Sequence, residues 1–150
     1  MNILLPVLGL LSALAPSSPV TWTTSSTVAA DGSVRVEIVA HMEEGWHLYA
    51  TELPSDIGPL PTIFRFTPSK EYMAVGALQE PPPVEEYDQN FGVQVRYHSG
   101  EPRFTLTVKP AVKGEFTVEG EVEYMTCNGT TCLPPVAVPF KITVTQAKTK

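Results

Sequence analysis

The sequence is poor in basic residues, in cysteine and in charge, and each shortage argues against a class of protein. Its 150 residues include 10 Lys and Arg against 16 Asp and Glu, which leaves a net charge of −6 at pH 7. Without a cluster of Lys and Arg to neutralise phosphates, the chain is not expected to bind nucleic acid. Only 17% of the residues are charged and 43% are hydrophobic, a composition too apolar for a disordered chain. A single domain of this length can bury a substantial core without several disulfides.

The only long apolar run lies at the N-terminus, at residues 3–15. It is shorter than the roughly 20 residues that a membrane-spanning helix needs. Its length, and the small residues Ala13 and Ala15, are typical of a signal peptide and its cleavage site. We therefore expect residues 1–18 to be a signal peptide, cut within residues 15–18, and the protein to be exported. An N-terminal strand or anchor is the alternative.

Helices are disfavoured by 15 prolines and 10 glycines, because both residues interrupt helices. Apolar and polar residues instead alternate with a period of two, which predicts strands with one buried face. The predicted strands lie at residues 20–28, 34–38, 46–50, 62–66, 93–97, 103–109, 115–124 and 136–144. Residues 71–78 fit one helical turn or a further strand. The turn residues between these segments predict an all-β fold, an immunoglobulin-like antiparallel β-sandwich of seven or eight strands, over residues 19–146 with a frayed tail at 147–150.

Cys127 and Cys132 are the only cysteines, and they lie in the connection between the last two predicted strands. In an exported protein, two cysteines this close are expected to form a disulfide. Closing so short a loop restricts the unfolded chain by only about 2 kcal/mol, against about 4.7 kcal/mol for a loop of about 100 residues. The bond is therefore expected to stabilise the whole fold only weakly. Two interpretations stay open, a redox-active pair and a local structural clip in a non-catalytic binding module.

A third interpretation is a zinc or copper site, in which the two thiolates bind a metal with help from His41, His47 or His98. No second Cys or His lies at ligand spacing near the pair, so we expect no metal and no other cofactor. The acidic residues at positions 85, 86 and 88 are predicted to lie in a solvated loop rather than to act as catalytic carboxylates. The sequence also lacks a Gly-rich phosphate loop, a G-x-S-x-G elbow and an H-E-x-x-H motif.

Three motifs together resemble a known family. They are CNGTTCLPP at residues 127–135, GWHLY at 45–49 followed by GPLPT at 58–62, and YDQNFG at 87–92. The chain resembles, over about residues 20–145, the amino-terminal periplasmic domain of the bacterial thiol:disulfide interchange protein DsbD, in which these motifs occur in the same order. The resemblance implies an immunoglobulin-like sandwich whose cysteine pair alternates between dithiol and disulfide. It also implies thioredoxin-like redox partners in the periplasm, a membrane electron donor, and a part in protein-disulfide reduction.

The resemblance assigns roles to individual residues by position. Cys132 would form the mixed disulfide with a partner, and Cys127 would resolve it. Phe91 would be a cap that shields the pair, and Asp88 would lie beside it. Four residues in all are assigned to the cap and the active-site surface: Phe91, Asp88, Trp46 and Tyr49.

The charges near the cysteines predict slow chemistry in the isolated protein. No Lys or Arg adjoins the pair in the sequence, whereas Asp88, Glu121 and Glu123 are candidates to lie near it. Carboxylates disfavour a second negative charge and raise the pKa of nearby thiols. Because exchange needs a thiolate, we expect faster reaction when a docked partner displaces the cap. The 150 residues contain no multi-helix membrane domain, so we expect a separate protein or domain to supply electrons.

Overall fold

The computed structural model describes residues 17–147, which form eleven strands and no helix. The strands are β1 (Val20–Val28), β2 (Val34–Met42), β3 (His47–Tyr49), β4 (Ile63–Phe66), β5 (Tyr72–Gln79), β6 (Val84–Asp88), β7 (Val93–Ser99), β8 (Arg103–Pro110), β9 (Phe116–Tyr124), β10 (Thr126–Cys127) and β11 (Val136–Val144). None of these elements is a helix long and apolar enough to cross a membrane. The predicted signal peptide at residues 1–18 and the tail at 147–150 lie almost wholly outside the described residues.

The strands pair in an antiparallel manner and build three sheets. Sheet A has the order β1-β2-β8-β5, sheet B the order β10-β3-β7-β6, and sheet C the order β11-β9-β4. In sheet C, β9 and β11 pair along their whole length, from Phe116 opposite Val144 to Tyr124 opposite Val136. After β9, the short strand β10 pairs with β3 instead, so Thr126 and Cys127 belong to sheet B.

The main core lies between sheets A and C and follows the alternation of the sequence. The inward residues of β2, β8, β9 and β11 form one buried apolar cluster: Val34, Val36, Ile38, Leu106, Val108, Phe116, Val118, Ile142 and Val144. Their neighbours Arg35, Lys109, Glu119 and Lys141 are exposed, as expected for strands with one buried face. Burial of this apolar surface is the main force that holds the two sheets together.

Sheet B joins the core by one face and carries the cysteines on the other. Leu48 of β3 packs into a second core cluster with Phe104 of β8. Because side chains alternate along a strand, His47 and Tyr49 project to the opposite face. There Tyr49 packs against Cys127, away from the main core.

The predicted immunoglobulin-like antiparallel β-sandwich is confirmed. The segment at residues 71–78 forms a strand rather than a helical turn, since residues 72–78 belong to the edge strand β5. The alternation does not predict β6 and β10, which raise the strand count of the described residues above the expected seven or eight. The expected solvated loop at residues 85, 86 and 88 is wrong, because these residues lie in β6. Four of the five residues of β6 are exposed, so the strand lacks the apolar face that the pattern requires.

Candidate functional site

The two cysteines form a disulfide on the outer face of sheet B. The S–S distance is 2.04 Å, and β10 places Cys127 opposite His47 of β3. Cys127 is fully buried, whereas Cys132 is half-buried. The two residues are therefore not equivalent, and Cys132 is the more accessible one.

Tyr49 is the polar centre of the cluster beside the disulfide. It has no exposed surface, its hydroxyl donates to Oδ2 of Asp88 at 2.6 Å, and its oxygen lies 3.2 Å from Sγ of Cys127. Burial first, and then the hydrogen bond and the negative charge of Asp88, raise the pKa of Tyr49 far above its ordinary value. Tyr49 therefore keeps its proton, which can be donated to one acceptor at a time.

Asp88 ends β6 and connects Tyr49 to the loop that follows, residues 88–92, which we call the cap loop. Its Oδ1 accepts hydrogen bonds from the backbone N–H groups of Asn90 and Phe91, at 2.7 and 3.3 Å. Hydrogen bonds to a charged acceptor are stronger than those between neutral groups. One carboxylate thus holds both the cap loop and the tyrosine that contacts the sulfur.

Phe91 of the cap loop packs over the disulfide. Its ring lies edge-on to the ring of Tyr49, with 6.3 Å between the centroids. It belongs to the same apolar group as Cys127 and Cys132. The ring itself is half-buried, so its outer side faces solvent. A change in the cap loop would therefore expose the disulfide without opening the main core.

Asn128 builds the turn between the two cysteines. Its backbone N–H donates to the carbonyl of Thr131 at 2.9 Å. Its side-chain oxygen accepts from the backbone N–H groups of Thr130 and Thr131, at 2.9 and 2.8 Å, a pattern that Asn forms readily in turns. Its carbonyl accepts from Nδ2 of Asn90 at 3.4 Å, which links the cysteine turn to the cap loop.

A second loop, residues 51–62, packs against the cap loop from the other side. A Cβ atom at Gly58 would lie 2.8 Å from Cγ2 of Val93 and 3.8 Å from Cβ of Phe91. Gly58 also has a φ of 128°, which residues with a side chain rarely adopt. Thr62 attaches the end of this loop to β3 by donating to a strand carbonyl at 2.6 Å. The GPLPT motif contains Gly58 and Thr62, although the sequence predicts no role for either.

His47 is the member of the cluster that the sequence predicts only as a possible metal ligand. Its Nε2 lies 3.4 Å from the oxygen of Tyr49, and its ring packs 5.2 Å from that of Tyr49 and 4.8 Å from that of Tyr97. Burial lowers the pKa of His47, and the charges of Asp88 and Glu86 oppose this effect. Its spacing of two residues from Tyr49 is the signal that could have placed it on this face.

The surface beside the disulfide is negatively charged. An open cavity of about 200 Å³ is lined by His47, Tyr97, Asn128 and residues 88–90 of the cap loop, and it contains the carboxylates of Glu86 and Asp88. Its lining contains no Lys or Arg. The Tyr97 hydroxyl donates to Glu86 at 2.7 Å, and this bond raises the pKa of Tyr97. A thiolate formed here has no Lys or Arg of this lining to stabilise it.

Other predicted residues lie elsewhere. Trp46 is half-buried in the turn before β3, where its backbone N–H donates to the carbonyl of Glu43 at 3.1 Å. The apolar group around the disulfide does not include it. Glu121 and Glu123 form ion pairs with Arg65, at 3.2 and 3.4 Å, on the outer side of sheet C. Of the three candidate acids, only Asp88 bonds to the cluster.

The histidines do not gather around the cysteines. His41 is bonded to Glu101 and His98 to Glu80, each at 2.9 Å. Within residues 17–147, no group of three or more His, Cys, Asp or Glu is arranged to hold a metal ion. The geometry instead suits sulfur chemistry, because it combines one buried and one accessible cysteine under an aromatic cover.

Comparisons with known proteins bear on the family and the fold. The family model of the thiol:disulfide interchange protein DsbD, N-terminal, matches residues 16–143. Among solved structures, the reduced DsbD N-terminal domain of Neisseria meningitidis has a TM-score of 0.56 and 18% identity, over 83% of this chain and 86% of that one. The N-terminal periplasmic domain of ScsB from Proteus mirabilis has a TM-score of 0.59 and 15% identity, over 89% and 49%. A complex of the DsbD and PilB N-terminal domains from Neisseria meningitidis has a TM-score of 0.54 and 17% identity, over 80% of both chains. No curated protein sequence matches the chain.

Proposed function

This chain belongs to the family of the N-terminal domain of the thiol:disulfide interchange protein DsbD, and we propose on that premise that it relays electrons between thioredoxin-like partners by thiol–disulfide exchange. The observation that carries the proposal is the unequal burial of the two cysteines. Cys132 is accessible enough to meet a partner sulfur, and Cys127 is held beneath the cap loop. A bond that served only to staple the fold would more usefully link distant segments.

The exchange takes place in two balanced steps. To load the domain, a donor thiolate attacks the Cys132 sulfur, the bond to Cys127 breaks, and its electron pair stays on the Cys127 sulfur. The second thiol of the donor then attacks its own mixed disulfide and releases Cys132 as a thiolate. To unload, Cys132 attacks an acceptor disulfide, and Cys127 then attacks Cys132 to release the reduced acceptor. Cys132 is thus the partner-facing sulfur and Cys127 the resolving one.

The residues around the pair control access and charge. Phe91 is the cap that a docked partner displaces, and Asp88 and Tyr49 hold the cap loop in place when no partner is bound. Asp88 also disfavours a thiolate on Cys127, which slows reaction with adventitious thiols and oxidants. Trp46, which lies outside this cluster, belongs to the surface that the partner contacts.

The setting that suits this chemistry is the periplasm. The ScsB relative is described as a periplasmic domain, and the DsbD relative has been solved in complex with a PilB domain. We place the folded domain at residues 19–146, behind a signal peptide at residues 1–18. Electrons reach it from a membrane protein or another domain. A covered disulfide fits an oxidising compartment, because the cover limits unwanted oxidation.

Trapping a mixed disulfide tests the proposal. Cys127→Ser leaves Cys132 without a resolving thiol, so after incubation with an oxidised thioredoxin-like protein it should accumulate as a covalent complex on a non-reducing gel. Cys132→Ser is the matched control, since it keeps one cysteine but removes the accessible one, and it should form no complex. If Cys127→Ser captures no partner, the assignment of roles is wrong.

The rival function is a non-catalytic binding domain in which the disulfide only closes the turn between residues 127 and 132. The full burial of Cys127 is the observation that favours this alternative. A redox titration distinguishes the two. A potential of about −200 to −270 mV, in the range of thioredoxin-type partners, supports the relay, whereas a value below about −300 mV supports a structural bond.

A further inference from the structure

When the disulfide opens, a buried sulfur becomes a thiolate and must be protonated. When a donor thiolate attacks Cys132, the leaving group is the thiolate of Cys127, which has no exposed surface. The carboxylate of Asp88 bonds to the same Tyr49 hydroxyl that contacts this sulfur. A buried thiolate near a carboxylate is strongly disfavoured, so the sulfur must take up a proton as the bond breaks.

Tyr49 contacts the sulfur but cannot supply the proton alone. Its pKa is raised by burial and by Asp88, so a tyrosinate is no better tolerated than the thiolate. Its oxygen has three polar neighbours, which are Sγ of Cys127 at 3.2 Å, Oδ2 of Asp88 at 2.6 Å and Nε2 of His47 at 3.4 Å. Asp88 accepts hydrogen bonds through both of its oxygens. His47 is therefore the neighbour that can bring a proton to Tyr49.

We propose that His47 is a positioning residue of the exchange reaction, which holds the proton for Cys127 and delivers it through the Tyr49 hydroxyl. This inference rests on the proposed function. The proton moves from Nε2 of the protonated imidazole to the Tyr49 oxygen, while the Tyr49 proton moves to the sulfur. The products are a Cys127 thiol and a neutral imidazole, and the phenol of Tyr49 is unchanged. When Cys127 resolves a mixed disulfide, its proton leaves by the same route.

The surroundings of His47 suit this role. Its own strand presents Tyr49, β10 presents Cys127 opposite it, β7 presents Tyr97, and β6 presents Asp88 and Glu86. These contacts hold the ring in place on its buried side. The imidazole also lines the open cavity of about 200 Å³, through which it can exchange protons with water.

The direction of the pH dependence follows from this environment. Burial lowers the pKa of His47 from its ordinary value, with the charges of Asp88 and Glu86 opposing the effect in part. The imidazolium fraction is therefore small at neutral pH and grows as the pH falls. The opening of the disulfide, counted per attacking thiolate, should become faster in the same direction.

The test measures the rate of disulfide opening by excess dithiothreitol between about pH 5 and pH 8, divided by the thiolate concentration of the reagent. In the wild-type protein this normalised rate constant should rise as the pH falls. His47→Gln keeps a side-chain N–H near Tyr49 but cannot carry the extra proton. We expect a flat profile for this variant, and a rate about tenfold or more below wild type at the acidic end. His47→Ala should regain the acidic rise when imidazole is added.

His41→Gln is the matched control, because His41 lies in β2 of sheet A, where it bonds to Glu101, and its profile should be that of the wild type. Both variants are also made in a Phe91→Ala background, where opening of the cap loop no longer limits the rate. A wild-type profile for His47→Gln in both backgrounds would overturn the proposal. If Cys127→Ser still traps a partner in that case, the relay stands and only the role of His47 is lost. Failure of the trap counts against the relay itself.

Discussion

The main core and the disulfide cluster are both buried, yet they are built from different chemistry. The core between sheets A and C consists of aliphatic and aromatic side chains, mainly from four long strands. The cluster on sheet B is small and combines apolar side chains with polar groups, and its disulfide touches a tyrosine hydroxyl that is bonded to a carboxylate. The core is held by the removal of apolar surface from water, which has no preferred direction. The cluster depends on a few directed hydrogen bonds, so a single proton or a single bond can change its state.

This difference separates the stability of the protein from its sulfur chemistry. Substitutions in the core should change the free energy of unfolding and leave the sulfur chemistry unaltered. Substitutions in the cluster should change the sulfur chemistry at a smaller cost in stability. The core between sheets A and C thus acts as a rigid support for the reactive face, which lies on sheet B.

The largest expected effect on stability comes from Phe104→Ala. Phe104 has no exposed surface and packs against Trp22 and Phe64. Loss of a buried Phe side chain leaves a cavity and should lower the free energy of unfolding by about 3–5 kcal/mol in urea titrations. The folded fraction should react with dithiothreitol at the wild-type rate. A changed rate would show that the core and the cluster are coupled.

A smaller effect is expected for Tyr49→Phe, which removes only a hydroxyl. Asp88 loses a hydrogen bond, and the free energy of unfolding should fall by about 1–3 kcal/mol at neutral pH. Because the pKa of Tyr49 is raised in the folded protein, its contribution is complete below about pH 10 and is lost as the pH rises further. The free energy of unfolding of the variant should therefore fall less steeply at alkaline pH than that of the wild type. Tyr97→Phe is the control, since its hydroxyl bonds to exposed Glu86 and should matter less.

The smallest change in stability is expected for Phe91→Ala, because the ring is only half-buried. The free energy of unfolding should fall by about 1 kcal/mol. The rate of disulfide opening by dithiothreitol should nevertheless rise, because the sulfurs lose their cover. Ile57→Ala removes an exposed apolar side chain from the neighbouring loop and should change neither quantity. An unaltered rate for Phe91→Ala would show that Phe91 does not shield the disulfide.

Much of the fold follows from local pattern. The alternation in β2, β8, β9 and β11 directly predicts which side chains are buried, because a strand presents successive residues to opposite faces. The strand β6 has no such pattern, since its exposed residues Glu85 and Glu86 follow three prolines. Its place in the sheet depends on pairing with β7, where Glu85 lies opposite Arg96. Pairing between distant segments does not change the alternation of apolar and polar residues in either segment, so this alternation cannot predict it.

The candidate site likewise has parts that the sequence predicts and parts that only the structure shows. By itself the sequence determined the two cysteines and their short spacing, and its motifs, through their resemblance to a known family, pointed to Phe91, Asp88 and Tyr49. Only the tertiary structure decided that Cys127 is the buried sulfur, that Asp88 rather than Glu121 or Glu123 bonds to its neighbour, and that His47 completes the cluster. Burial and hydrogen bonding are properties of several strands together. They arise when β3, β6, β7 and β10 align in one sheet, and the sequence of any one strand cannot specify them.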